Sequence, residues 1–135
     1  MKRELVRQWI DKADQDLRAA ESLISGDSPL LYPSGFHSQQ AAEKYIKAIL
    51  TWHQVEFPKT HDFDELLELV SKVDKALAEQ LGDTPLLTPY GVEVRYPGDI
   101  PEPTLTDAEE ALELAKRVRD TVLPLLEYKQ DSSTT

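Results

Sequence analysis

Apolar residues near the start of this chain recur in alternating steps of four and three: Val6, Ile10, Ala13, Leu17, Ala20 and Ile24. That interval matches the turn of an α-helix, so these side chains form one stripe of a helix over about Glu4 to Ser25. Trp9 and Leu23 widen the stripe, Arg7, Lys12, Asp14, Gln15, Arg18 and Glu21 occupy the other face, and Gly26 is a stop signal.

The same rhythm returns after the loop GDSPLLYPSG, predicting a second helix over about Phe36 to Val55. Ala42, Ile46 and Ile49 make one apolar row, and Ala41, Tyr45, Ala48 and Trp52 make an adjacent one. An apolar arc that broad marks a central helix. A third strip of the same helix carries Gln40, Glu43, Lys44 and Lys47. Thr60 or Asp62 caps a third helix over Phe63 to Val73, with Leu66, Leu69, Val70 and Val73 facing inward; with Asp62 as cap, Glu65 completes a capping box. A short fourth piece covers Asp74 to Leu81 before Gly82.

The stretch from Asp83 to Thr104 holds five of the nine prolines with Gly91 and Gly98, and reads as an ordered, irregular loop. Val92, Val94 and Tyr96 alternate within it like a stray strand that lacks a partner. The last helix opens on a capping box from Thr106 to Glu109 and carries Ala108, Ala111, Ala115, Val118, Val122 and Leu125 inward. Pro124 ends or bends it. The expected fold is all-α: an antiparallel up-and-down bundle of four to five helices, one domain over residues 1–128 with a polar tail at 129–135.

Composition narrows the function classes. Without cysteine there is no disulfide framework, thiolate metal site or cysteine nucleophile. No apolar run approaches the ~20 residues that span a bilayer, and the charged start MKRELVRQWIDKADQD does not resemble a secretory signal, so a cytoplasmic location without membrane attachment is expected. Fifteen Lys and Arg stand against 25 Asp and Glu, a formal charge of −10 that repels phosphate chains. DNA binding is not expected; a local basic site for a nucleotide or RNA remains open. None of His37, His53 and His61 follows a glutamate at the spacing of a di-iron bundle. HExxH, GxxxxGK[ST] and GxSxG are absent too, so neither metal nor cofactor is expected.

The least ordinary stretch runs from Phe36 to Phe63. Gln40, Glu43 or Lys44, and Lys47 are neighbours by helical spacing. Their plain reading is a solvated strip with local Glu–Lys pairs. Their sharper reading is a semi-buried seam beside a cleft, with Lys44 or Lys47 offering charge to a phosphate. His61 and Asp62 stand at a helix start, where capping competes with action on a bound phosphate, and Lys59 adds charge next to them. His53 suits the exposed end of the second helix, and an ordinary surface position is the default for His37. Tyr90, Arg95 and Tyr96 either pin the proline-rich loop to the bundle or stack on a base and hold a phosphate.

These segments resemble the HEPN family, named for its occurrence in higher eukaryotes and prokaryotes as a nucleotide-binding domain. The resemblance is carried by WIDKADQDLRAAESLI, FHSQQAAEKYIKA, PKTHDF followed by Leu66-Leu67, and Tyr90 with Arg95-Tyr96-Pro97. It implies an antiparallel helical bundle, a homodimer and a small nucleotidyltransferase partner in a toxin–antitoxin-type pair. Many such proteins are metal-independent ribonucleases with an Arg-x(4–6)-His motif. In that motif the arginine stabilises the phosphate and the histidine moves the 2′-hydroxyl proton.

None of the arginines here (Arg3, Arg7, Arg18, Arg95, Arg117, Arg119) precedes a histidine at that spacing. Lys47 and His53 form the nearest imitation, in which lysine keeps the charge but not the planar fork. The chain therefore reads as a binding component. Gln40, Lys44, Lys47, Lys59, His61, Asp62, Arg95 and Tyr96 are its candidate ligand-binding residues. The alternatives are a divergent ribonuclease using Lys47 with His53 or His61, and a purely structural interaction module.

Overall fold

A computed structural model describes residues 2–92, 96–98 and 101–126. Among them are five α-helices, α1 (Lys2–Ile24), α2 (Leu31–Trp52), α3 (Phe63–Val73), α4 (Lys75–Gln80) and α5 (Leu105–Val122). Two 3-10 segments, Thr84–Gly91 and Leu123–Leu125, join and end them, and no strand occurs among the described residues. Val94 and Arg95 lie outside the described residues, as does the polar tail at 129–135.

α1 buries Val6, Ile10, Ala13, Leu17 and Ala20, the stripe its spacing predicts. That stripe packs on α2, and contacts along the pair fix its direction. Ser34 donates to the carbonyl of Ala20, Tyr45 donates to Asp14, and the Lys2 ammonium sits 4.1 Å from the Trp52 ring centre. Positions rise along α2 as they fall along α1, so the two helices are antiparallel. α5 packs on α2 as well, and α3, α4 and the Thr84–Gly91 segment close the remaining side. α2 is thus enclosed along most of its length, from Ser34 to Leu50. Each fully buried Leu, Ile or Val of this core contributes roughly 1.5–3 kcal/mol relative to exposure.

Several boundaries differ from the sequence expectation. α2 starts at Leu31 and takes in Pro33, Ser34 and Gly35, which spacing alone leaves in the loop. Pro33 falls in the first turn, where the missing N–H has no intrahelical partner to lose. Gly35 is there for packing: a Cβ on it would lie 2.2 Å from the Tyr90 ring. α2 ends at Trp52 because Gln54 adopts a left-handed φ of 59°, and Val55 N–H bonds back to the Leu50 carbonyl at 2.9 Å. That is a Schellman-type ending with glutamine where glycine is usual.

At α3, Asp62 caps by accepting from Asp64 N–H, while Glu65 accepts from the Thr60 hydroxyl instead of closing a box on Asp62. Val73, predicted inward, is largely exposed because α3 breaks at Asp74, which caps α4 in turn. The box of α5 is formed by Thr104 and Asp107, two residues before the predicted pair. Pro124 ends α5 in a 3-10 turn that shifts the phase, so Leu126 is buried and Leu125 is not.

Candidate functional site

The polar strip of α2 is drawn into the protein. Glu43 is only 2% exposed and its carboxylate is the hub of a cluster. Oε1 accepts from Gln39 at 3.1 Å, Oε2 accepts from the Lys47 ammonium at 2.9 Å, and His61 Nδ1 lies 2.9 and 3.0 Å from the two oxygens. A carboxylate only accepts, so Nδ1 carries the proton and Nε2 is left for solvent or a ligand. Gln40 extends the chain by donating to Gln39 at 2.8 Å.

Lys47 is held from both sides. Opposite Glu43, its ammonium faces the rings of Trp9 and Phe57, with centres 5.6 and 5.8 Å away. The two rings pack against each other, centres 6.1 Å apart. A phosphate approaching Lys47 has to displace an aromatic ring and compete with a buried carboxylate. His61 is the open end of the cluster, with its side chain 73% exposed. Lys59, two residues earlier, and Asp62, the cap of α3, are exposed beside it in sequence.

A second cluster sits nearer the start of α2. Asp16 of α1 takes the Lys44 ammonium on Oδ2 at 2.5 Å and His37 Nδ1 on Oδ1 at 2.9 Å. Phe36 meets the His37 ring edge-on, with centres 5.5 Å apart. His37 and Lys44 are seven residues apart, close to two helical turns, and so share a face. That spacing is the available sequence signal for a site where His37 taken alone predicts only an ordinary surface histidine. The Asp16 partner, from another helix, carried no local signal.

The structure therefore brings Gln40, Lys47 and His61 onto one carboxylate system and puts Lys44 on another. His53 joins neither: it is the exposed residue that ends α2. Six residues place it roughly 9 Å further along the helix than Lys47 and on a different face, so Lys47 and His53 do not converge. Tyr96 is 71% exposed, and Arg95 lies outside the described residues. Tyr90 is a pin. Its ring packs over Gly35 and against Tyr32, whose hydroxyl donates to the carbonyls of Val92 at 2.8 Å and Pro89 at 3.2 Å.

No group of three or more His, Cys, Asp or Glu side chains with metal-binding geometry occurs among the described residues. Nor is any helix among them long and apolar enough to cross a membrane. What the Glu43 cluster can do chemically is orient an imidazole and support its charge, as a carboxylate does behind a histidine base. Its lysine, Lys47, is enclosed and paired with Glu43.

No curated protein and no solved structure matches the chain. The family model described as "HEPN domain" matches residues 6–126, which takes in α1 from Val6 onward, α2 to α5 and both carboxylate clusters. With the match covering nearly all of its 135 residues, the chain belongs to the HEPN family.

Proposed function

We propose that this HEPN protein is a binding component. In this reading it acts as a cytoplasmic homodimer with a small nucleotidyltransferase in a toxin–antitoxin-type pair, and meets a nucleotide at the His61 edge. The observation that carries the reading is the fate of the two lysines. Lys44 is neutralised by Asp16 and Lys47 by Glu43, so both serve the fold instead of an RNA backbone. His61 and Lys59 are the exposed groups that a phosphate can reach, beside the Asp62-capped start of α3.

Titrating ATP and GTP to millimolar concentration while following thermal unfolding tests the nucleotide half. A ligand at 100 times its Kd adds about 2.7 kcal/mol, a shift of several degrees. His61→Ala and Lys59→Ala should abolish it, whereas His53→Ala should not. No shift with any nucleotide removes the nucleotide from the reading. Co-purification with a nucleotidyltransferase and the mass of the free protein in solution test the partner and the dimer.

One observation favours a second reading, a divergent ribonuclease: the Glu43–His61 pair has the geometry of a base held by its orienting carboxylate. RNA cleavage that is lost in His61→Ala and kept in His53→Ala would establish it. If neither ligand response nor partner binding changes in Lys44→Ala and Lys47→Ala, those two lysines serve only structure.

A further inference from the structure

α5 faces the Thr84–Gly91 segment across an open groove. Two clefts of about 460 and 300 Å³ share Leu114 and Arg117 and so run end to end. From Asp107 to Asp120 they follow α5 for roughly 20 Å. The floor is apolar: Leu81, Leu87, Ala111, Leu114 and Val118 are each at least nine-tenths buried. Leu86 forms an exposed apolar lip.

The rim is mainly acidic. Asp107, Glu110 and Glu113 line the first cleft, and Asp83 and Asp120 the second. Arg117 is the single basic residue along both, and it faces Asp83 at 4.0 Å. Burial first, then Asp107 and Glu110, push the Tyr90 phenol above its usual pKa, as expected of a ring set beside carboxylates.

We propose that this groove docks a basic amphipathic helix of a partner protein, its apolar side on the Leu87–Leu114 floor and its Lys and Arg residues on the rim. A trough of this length suits three to four turns of helix. The carboxylates repel nucleic acid. They oppose a second copy of the chain as well, because that copy brings its own formal −10. The inference rests on the partner-binding half of the proposed function and names its surface. It shares no residue with the His61 edge, so nucleotide titrations and peptide titrations fail independently.

The test uses the full chain and a fluorescein-labelled 14-residue helical peptide, leucines at positions i, i+3, i+4 and i+7 and lysines elsewhere. Anisotropy is read at 150 mM salt against a scrambled peptide of the same composition. The patterned peptide should bind at least tenfold more tightly than the scrambled one. Glu110→Lys with Glu113→Lys should weaken it at least tenfold, and Leu86→Asp should weaken it severalfold. The matched reversal Glu68→Lys with Glu109→Lys, on exposed residues outside the groove, should change it less than threefold. All these positions are exposed, so circular dichroism should report an unchanged fold. No binding, equal binding of the two peptides, or equal weakening by the two double reversals overturns the proposal.

Discussion

At Glu43 and at Asp16 the chain assembles the same three groups, a carboxylate, a lysine and a histidine, in different surroundings. Glu43 and Lys47 lie one turn apart on α2, and their side chains are 2% and 8% exposed. Asp16 reaches from α1 to Lys44 and His37, with exposures of 13%, 23% and 34%. Around Glu43 and Lys47 water is replaced by Gln39, Trp9 and Phe57, so each of these two charges depends on its partner, while His61 stays in solvent at 73% exposure. In the second, water shares the load. The carboxylate–lysine–histidine pattern therefore has no fixed worth; burial sets whether it is an internal strut or a surface contact.

Replacing the carboxylates one at a time should separate the two clusters most widely. Glu43→Gln leaves the Lys47 ammonium enclosed without a counter-charge and is expected to cost about 3–5 kcal/mol. For a chain of this size that lowers Tm by roughly 10–20 °C. Asp16→Asn should cost about 1 kcal/mol, since Lys44 and His37 turn to solvent. Thermal unfolding followed by circular dichroism measures both. Similar losses at the two positions would end the distinction.

A double-mutant cycle sharpens it. Removing both charges with Glu43→Gln and Lys47→Met, which keeps an acceptor for Gln39 and His61, should bring the protein to within about 1 kcal/mol of the parent, because no lone buried charge remains. The coupling between Glu43 and Lys47 should then be at least about 2 kcal/mol. The equivalent cycle on Asp16 and Lys44 should give less than about 1 kcal/mol. Urea unfolding of each set supplies the free energies, and equal couplings would show that burial is not what separates the clusters.

The two clusters also differ in how far they were legible in the sequence. Helical spacing alone puts Glu43 and Lys47 together, and the stripe of α1 and rows of α2 were readable for the same local reason. Whether that strip faced water was not readable, because the answer depends on Trp9 and Phe57 arriving from α1 and the connection before α3. The Asp16 cluster needs the antiparallel register of α1 on α2, which is a tertiary fact. Gly35 is similar. Read locally, it belongs to a Pro-Ser-Gly loop; only the Tyr90 ring packed over it explains a glycine inside α2. Lys47 and His53 match the family's motif only in linear spacing, and six residues of helix separate them in height and in face.

The smallest expected effect is on salt dependence, and it separates the clusters without a new substitution. At 1 M salt the Debye length is about 3 Å, so an ion pair open to solvent loses most of its attraction. The Asp16→Asn deficit, measured at low salt and again at 1 M, should therefore shrink by about half. The Glu43→Gln deficit should change by less than about 0.5 kcal/mol, since mobile ions do not enter the space between Glu43, Lys47 and the two rings. Paired urea titrations at the two salt concentrations read the difference. A Glu43→Gln penalty that fades with salt as the Asp16→Asn penalty does would mean that ions reach the Glu43 cluster. Lys47 would then return as a candidate for meeting a phosphate.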